Sequence, residues 1–158
     1  MAPIEYRTTD AKDLELIRPL WEKLNEHHRH VATMFRSYYE RTTFNDRKAN
    51  FEKIAAAGSL RLDLAFDPEV GRYVGYCISS LSQEKTGQIE SIFVERVYRS
   101  LGIGSALVAR ALAWLDANGS VRNRVFVATG NERAWDFYRK VRFYPRMTVL
   151  EEKRGSGK

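Results

Sequence analysis

Between a strand-like run at residues 89–94 and a helical run from 103 to about 114, the chain carries Arg99-Ser100-Leu101-Gly102-Ile103-Gly104-Ser105. A glycine-rich turn that leads from a strand into a helix places a sheet and a helix N-terminus side by side. The first backbone N–H groups of a helix have no internal partners, and the helix dipole adds partial positive charge at that end. Glycine lets such a backbone come close to a phosphate. The turn therefore reads as an anion site, with a plain helix entry as the alternative.

What precedes and follows the turn fixes the fold class. Residues 4–7 read as a first strand. Thr9 and Asp10 can cap the helix that follows, since their side-chain oxygens accept from free N–H groups. In that helix Leu14, Ile17, Trp21, Leu24, His28 and Val31 recur at spacings of three and four, one apolar stripe. A second helix is expected at residues 46–57, with Phe51 and Ile54 inward and Gly58 as its stop signal. The period then changes. Leu60, Leu62, Leu64 and Phe66 alternate with Arg61, Asp63 and Ala65. The turn residues 67–71 lead into a second strand at 72–81, making an antiparallel hairpin. After the glycine turn, Leu107, Ala111, Trp114 and Leu115 line a helix that ends at Asn118-Gly119. A strand at 124–129, a helix at 132–141 and a last strand at 143–150 complete the order βααβββαβαβ. The expectation is an α+β domain, a mixed and mostly antiparallel sheet flanked by helices.

Length and composition limit what such a domain does. The 158 residues suffice for one domain with its own core, expected over 1–150. The polar tail, 151–158, is expected to be disordered. No run is apolar enough to span a bilayer. Met1-Ala2-Pro3-Ile4-Glu5 lacks the basic-then-apolar pattern of a secretion signal. The single cysteine, Cys77, rules out an internal disulfide framework. A cytoplasmic, reducing setting with no membrane partner follows as an expectation. The net charge of +6, from 26 basic and 20 acidic residues, suits an anionic ligand. Acidic residues interleave throughout, so no basic block argues for nucleic acid.

Three pieces in register carry a family likeness. They are Arg99-x-x-Gly102-x-Gly104 between strand and helix, the run Ile92-Phe93-Val94 before it, and Asn131 followed by Ala134, Phe137-Tyr138 and Phe143. The combination resembles the GNAT superfamily of N-acetyltransferases over roughly residues 72–150. Competing phosphate motifs fit poorly. There is no GxxxxGK[ST], and the turn lacks the third glycine and the parallel setting of a dinucleotide fold.

The resemblance implies acetyl-coenzyme A as donor and direct transfer of its acetyl group to a primary amine, in a small molecule or a protein. Amides of Arg99, Ser100, Leu101, Gly102, Ile103, Gly104 and Ser105 would cradle the pyrophosphate. Ile92, Phe93 and Val94 would pair with the pantetheine arm as with an added strand. Asn131 would lie near that arm, and Tyr138 would aim its hydroxyl at the thioester sulfur. Such chemistry needs a base for the amine, a donor for the charged thioester oxygen and a proton for the leaving thiolate. Glu90 is the base candidate, directly or through water, with Gln88 as a second route into a water chain. Strand alternation puts Gln88, Glu90, Ile92 and Val94 on one face.

Two positions depart from the family pattern: Gln88 stands where an acid is common, and Arg142 where glycine is usual. The first motivates a second reading, a non-catalytic module of the same fold that senses acyl-coenzyme A. Cys77 has no evident basic partner, which disfavours a covalent acyl-cysteine. The cluster His27-His28-Arg29-His30 does not converge as metal ligands do, so no metal is expected. His28, Phe35, Tyr38 and Tyr39 are candidates for the acceptor site, because the family forms it partly from the first helices. Among Arg99, Arg139, Lys140 and Arg142, Arg99 is favoured as a phosphate partner. A homodimer is compatible with the family.

Overall fold

A computed structural model describes residues 2–155. Strand β1 (Glu5–Thr9) leads through a 3-10 segment (Ala11–Ile17) into α1 (Arg18–Val31). Asp10 caps that segment by accepting from the Lys12 amide, as its position suggests. A short α2 (Arg36–Arg41) precedes α3 (Phe44–Ala57), whose start is fixed by a capping box between Thr43 and Asp46. Strands β2 (Ser59–Asp67), β3 (Arg72–Leu81) and β4 (Thr86–Val94) form a meander. A 3-10 turn (Arg96–Tyr98), α4 (Ile103–Ala117), β5 (Arg122–Val125) and α5 (Ala134–Lys140) follow. The sheet order is β1-β2-β3-β4-β5, antiparallel except for the parallel β4–β5 pair.

Alternation along β2 and β3 sends side chains to two cores. On one face Leu62, Leu64, Tyr76 and Ile78 meet Leu14, Ile17, Trp21 and Phe51 from the N-terminal helical region and α3. On the other, Val74, Cys77 and Ile89 meet Ile103, Leu107 and Ala111 of α4. Each large apolar side chain so buried contributes about 2 kcal/mol before entropy is counted. Fully buried Asp63 accepts from Thr8, Arg61 and Arg110, so its charge is compensated and α4 is tied to β1 and β2.

Beside shifting the strand expected at 124–129 to Arg122–Val125 and adding the unexpected α2, the structure corrects the sequence reading at three points. No strand forms at 143–150: Tyr144, Met147, Val149 and Leu150 are exposed and the run has no ladder partner among the described residues. Alternation marks what a run is able to become, but a strand also needs a neighbouring edge, and Pro145 removes a donor. Of the expected tail, residues 156–158 lie outside the described residues. Gly58 does end α3, yet its φ of −160° is extended rather than left-handed. Its cause is space, since a Cβ there would lie 2.4 Å from the Leu81 carbonyl oxygen.

The third correction concerns β4. In its pairing with β3, Ser91 stands opposite Ile78 and Ile89 opposite Ser79, which leaves Glu90 as an extra residue. This bulge inverts the alternation beyond it. Gln88 and Glu90 stay on the α1/α3 face, whereas Ile92 and Val94 pack with the α4 core. The shared face expected for all four is therefore broken after Glu90.

Candidate active site

The parallel pairing of β4 with β5 runs only from Thr86–Arg122 to Ile89–Val125. Beyond it the strands part, and a cleft of about 1310 Å³ opens between them. The edge of β4 facing the cleft is unpaired from Glu90 to Val94. The Glu95 amide donates to the Val74 carbonyl, toward β3. By alternation, the Val94 and Ile92 N–H groups point to the open edge. The outward Val94 carbonyl accepts from the Arg99 guanidinium at 3.0 Å.

At one end of the cleft lies the N-terminus of α4. No side chain caps it; Gly102 takes the N-cap position at φ +80°. Ser100, at φ +67°, makes the preceding left-handed turn. Gly104 is needed for a different reason: a Cβ there would come within 3.2 Å of the Phe137 ring. That contact lets α5 lie close over the start of α4. The incoming loop is anchored by Tyr98, whose hydroxyl donates to buried Asp67 at 2.6 Å. This bond holds the Asp67 carboxyl below its ordinary range and raises the Tyr98 phenol.

Tyr138 projects from α5 into the same cleft and is 7% exposed. Its ring lies between Phe137 and Phe143, with centroids at 5.1 and 6.0 Å. Burial, and then the nearby Cys77 thiol, raises its phenol well above the ordinary value, so it keeps its proton. Cys77 is itself fully buried and its thiol is pushed up, which opposes nucleophilic use. Arg142, just after α5, sits at φ +69°, the conformation a glycine would take there.

Glu90 faces the opposite end. One carboxylate oxygen accepts from the Ser80 hydroxyl at 2.5 Å, the other from the Gln88 amide at 3.0 Å. The Gln88 carbonyl oxygen accepts from Arg124 at 2.8 Å, which fixes the amide with its NH₂ toward Glu90. Around this end stand His28, Tyr38 and Tyr39, with His28 and Tyr39 ring centroids 5.4 Å apart. Burial first, then His27 and Arg47, lowers His28 to about 4, so its imidazole is neutral near pH 7.

Most of the expected site residues thus meet in one cleft. Ile92, Phe93, Val94, Arg99, Ser100, Gly102, Ile103, Gly104, Ser105 and Asn131 line it with Glu90 and Tyr138. Leu101 does not; its side chain is exposed and only its backbone belongs to the turn. Phe35, just before α2, is also absent, whereas Tyr38 and Tyr39 of that helix line the cleft, Tyr38 largely exposed at its mouth. The Asn131 side-chain oxygen accepts from His27 Nε2 at 3.0 Å. The adjoining Gly130, at φ +97°, lies where a Cβ would be 2.0 Å from the Val31 carbonyl oxygen, so this turn is docked on the end of α1. Lys140 reaches the cleft; Arg139 and Arg142 do not. Arg47 and Asn50 of α3, Ser91 and Arg124 were not anticipated. Nothing in α3 beyond its apolar spacing marked a polar face turned to a site.

The model of the acetyltransferase (GNAT) family matches residues 19–143. The chain belongs to this acetyltransferase family. A mutant of a Bacillus halodurans protein has the same architecture, with a TM-score of 0.76 at 18% identity, covering 95% of this chain and 99% of that one. An aminoglycoside N-acetyltransferase solved with coenzyme A superposes at a TM-score of 0.71, also 18% identical, over 98% of this chain and 96% of that one. These likenesses speak for the GNAT fold. An uncharacterized N-acetyltransferase of Methanocaldococcus jannaschii is 29% identical over 72 residues, 46% of this chain and 32% of that protein. The chain thus spans about a third of the length of this curated relative.

Proposed function

We propose that this GNAT protein moves an acetyl group from acetyl-coenzyme A directly to a primary amine within a ternary complex. The observation that carries the reading is the open β4 edge running from an uncapped α4 N-terminus to Glu90, with Tyr138 in the same cleft. A pyrophosphate fits the start of α4: Gly102 supplies the turn, the uncapped first amides the donors, and Arg99, beside Val94, the charge. The outward amides of Ile92 and Val94 would hold the pantetheine arm. Once bound, the coenzyme supplies an activated acetyl thioester.

The reaction forms a C–N bond, breaks a C–S bond and transfers a proton from nitrogen to sulfur. Glu90 takes the proton from the amine, directly or through a water in the cleft. The Val94 N–H offers a donor to a carbonyl oxygen that gains charge. Tyr138, protonated because it is buried, gives its proton to the departing sulfur. Asn131 and His27 brace the turn before α5 against α1.

One feature favours the rival reading, a sensor that binds acyl-coenzyme A without turnover: both Glu90 oxygens already accept protein hydrogen bonds. The two part in a simple experiment. Acetyl-coenzyme A at saturation is expected to raise Tm under both readings, because it binds the folded state. Release of free thiol with an amine panel is expected only of the enzyme. No Tm shift overturns both; a shift without thiol release leaves the sensor.

A further inference from the structure

The end of the cleft that would take the amine contains a guanidinium with no counter-charge. Arg47 projects from α3 and lies over the Phe51 ring, 4.2 Å from its centroid. It donates to Asn50 at 2.7 Å and to the backbone carbonyl of Glu90 at 3.0 Å. No carboxylate pairs with it among the described residues, although Glu90 lies on the same wall of the cleft. Arginine presents a planar fork of donors suited to a carboxylate, so unused N–H groups remain. Coenzyme phosphates do not explain this charge. Arg47 touches β4 at Glu90, four residues and so roughly 13 Å along the strand from Val94, where Arg99 of the glycine turn bonds.

The surroundings narrow the ligand further. His28 is neutral and Tyr38 and Tyr39 bring aromatic surface, so this end has no cluster of carboxylates to receive a polycation. A half-buried guanidinium without a carboxylate partner among the described residues gains from a ligand that brings the missing anion. We propose that the acceptor is a zwitterion: a primary amine bearing a carboxylate, which Arg47 pairs, with an apolar or aromatic body against His28 and Tyr39. The amine then stands toward Glu90 while the carboxylate is held on the α3 side. This assignment rests on the transferase reading for its chemistry, but Arg47 binding is measurable without turnover.

The test uses the full chain with acetyl-coenzyme A and three related amines: phenylalanine, its amide and phenethylamine. Phenylalanine is expected to exceed both in kcat/KM by about tenfold or more, a difference set mainly in KM. In Arg47→Gln that preference is expected to collapse to about unity, with Arg47→Lys in between, since an ammonium keeps charge but not the fork. If phenethylamine or the amide is preferred, or if Arg47→Gln keeps the wild-type preference, the assignment fails. A parallel arm measures the Tm shift caused by each amine with coenzyme A bound, for the wild type and Arg47→Lys. If turnover is absent but phenylalanine alone gives an Arg47-dependent shift, the transferase reading falls and the carboxylate site stands. If none of the three amines gives either signal, the assignment is overturned.

Discussion

Tyr138 illustrates how a single side chain acquires a role from its surroundings. Its register after Asn131 was legible in the sequence, but the reason it keeps a proton was not. That reason is burial between Phe137 and Phe143 and against Cys77, the last of them some sixty residues away in the chain, on β3. Removing only the hydroxyl leaves the aromatic packing in place. Tyr138→Phe is therefore expected to lower kcat by about 100-fold, the usual loss for a missing proton donor. The coenzyme Kd should stay within about twofold, because the phosphate turn and the β4 edge are untouched. Steady-state thiol release and calorimetry on the same preparation check the two halves, and an unchanged kcat removes Tyr138 from the mechanism. The two glycines were equally legible as a pair, yet they serve different ends: Gly102 for its φ of +80° and Gly104 for the 3.2 Å approach of Phe137. Arg47 was illegible, since an arginine on an amphipathic helix reads as solvated until the tertiary structure shows what it faces.

At the scale of elements, periodicity located strands better than it located their faces. The bounds of β3 follow directly from its tyrosine-rich and β-branched run. In β4 a single extra residue, Glu90, reverses every side chain after it, and nothing in a local pattern announces a bulge that depends on the pairing with β3. The run at 143–150 shows the converse: an apolar pattern without an available edge stays unpaired. Between β4 and α4, the 3-10 turn depends on Tyr98, which pins the approach to the glycine turn onto Asp67 at the β2–β3 corner. Tyr98→Phe keeps the ring and deletes that bond. It is expected to weaken coenzyme binding about threefold to tenfold, on the scale of one lost hydrogen bond, while the far-ultraviolet spectrum is retained. Calorimetric Kd values for coenzyme A decide it; an unchanged Kd means the turn is held by its own backbone.

Across the whole molecule, the two cores divide the labour: α4 and α5 frame the donor end of the cleft, while α1, α2 and α3 frame the acceptor end. The overall charge of +6 hinted at anionic ligands without saying where; the lining of the cleft carries Arg47, Arg99, Arg124, Arg133 and Lys140 against Glu90 as its carboxylate among the described residues. Framing an acceptor site with a buried histidine has a thermodynamic consequence for the entire fold. Folded His28 takes a proton only near pH 4, whereas in the unfolded chain it does so near 6.5. Between those values the unfolded state binds more protons, so stability rises with pH across that window and is level above it as far as His28 is concerned. The groups facing His28 act in the same direction, since His27 and Arg47 both disfavour a second positive charge. Glu95, bonded to Arg72 and Lys23, has its carboxyl held below 4.5. Its stabilisation is present above that value and disappears only as pH falls through its lower folded value, so it stays out of the His28 window. Urea unfolding is therefore expected to show a loss of about 1.5 kcal/mol between pH 6.5 and pH 5. His28→Gln, which cannot titrate, should lose much less over the same interval. If wild type and variant lose stability in parallel, folding does not lower the imidazole, and His28 takes its proton near 6.5 in the folded state too, setting a second positive charge beside Arg47 below that pH.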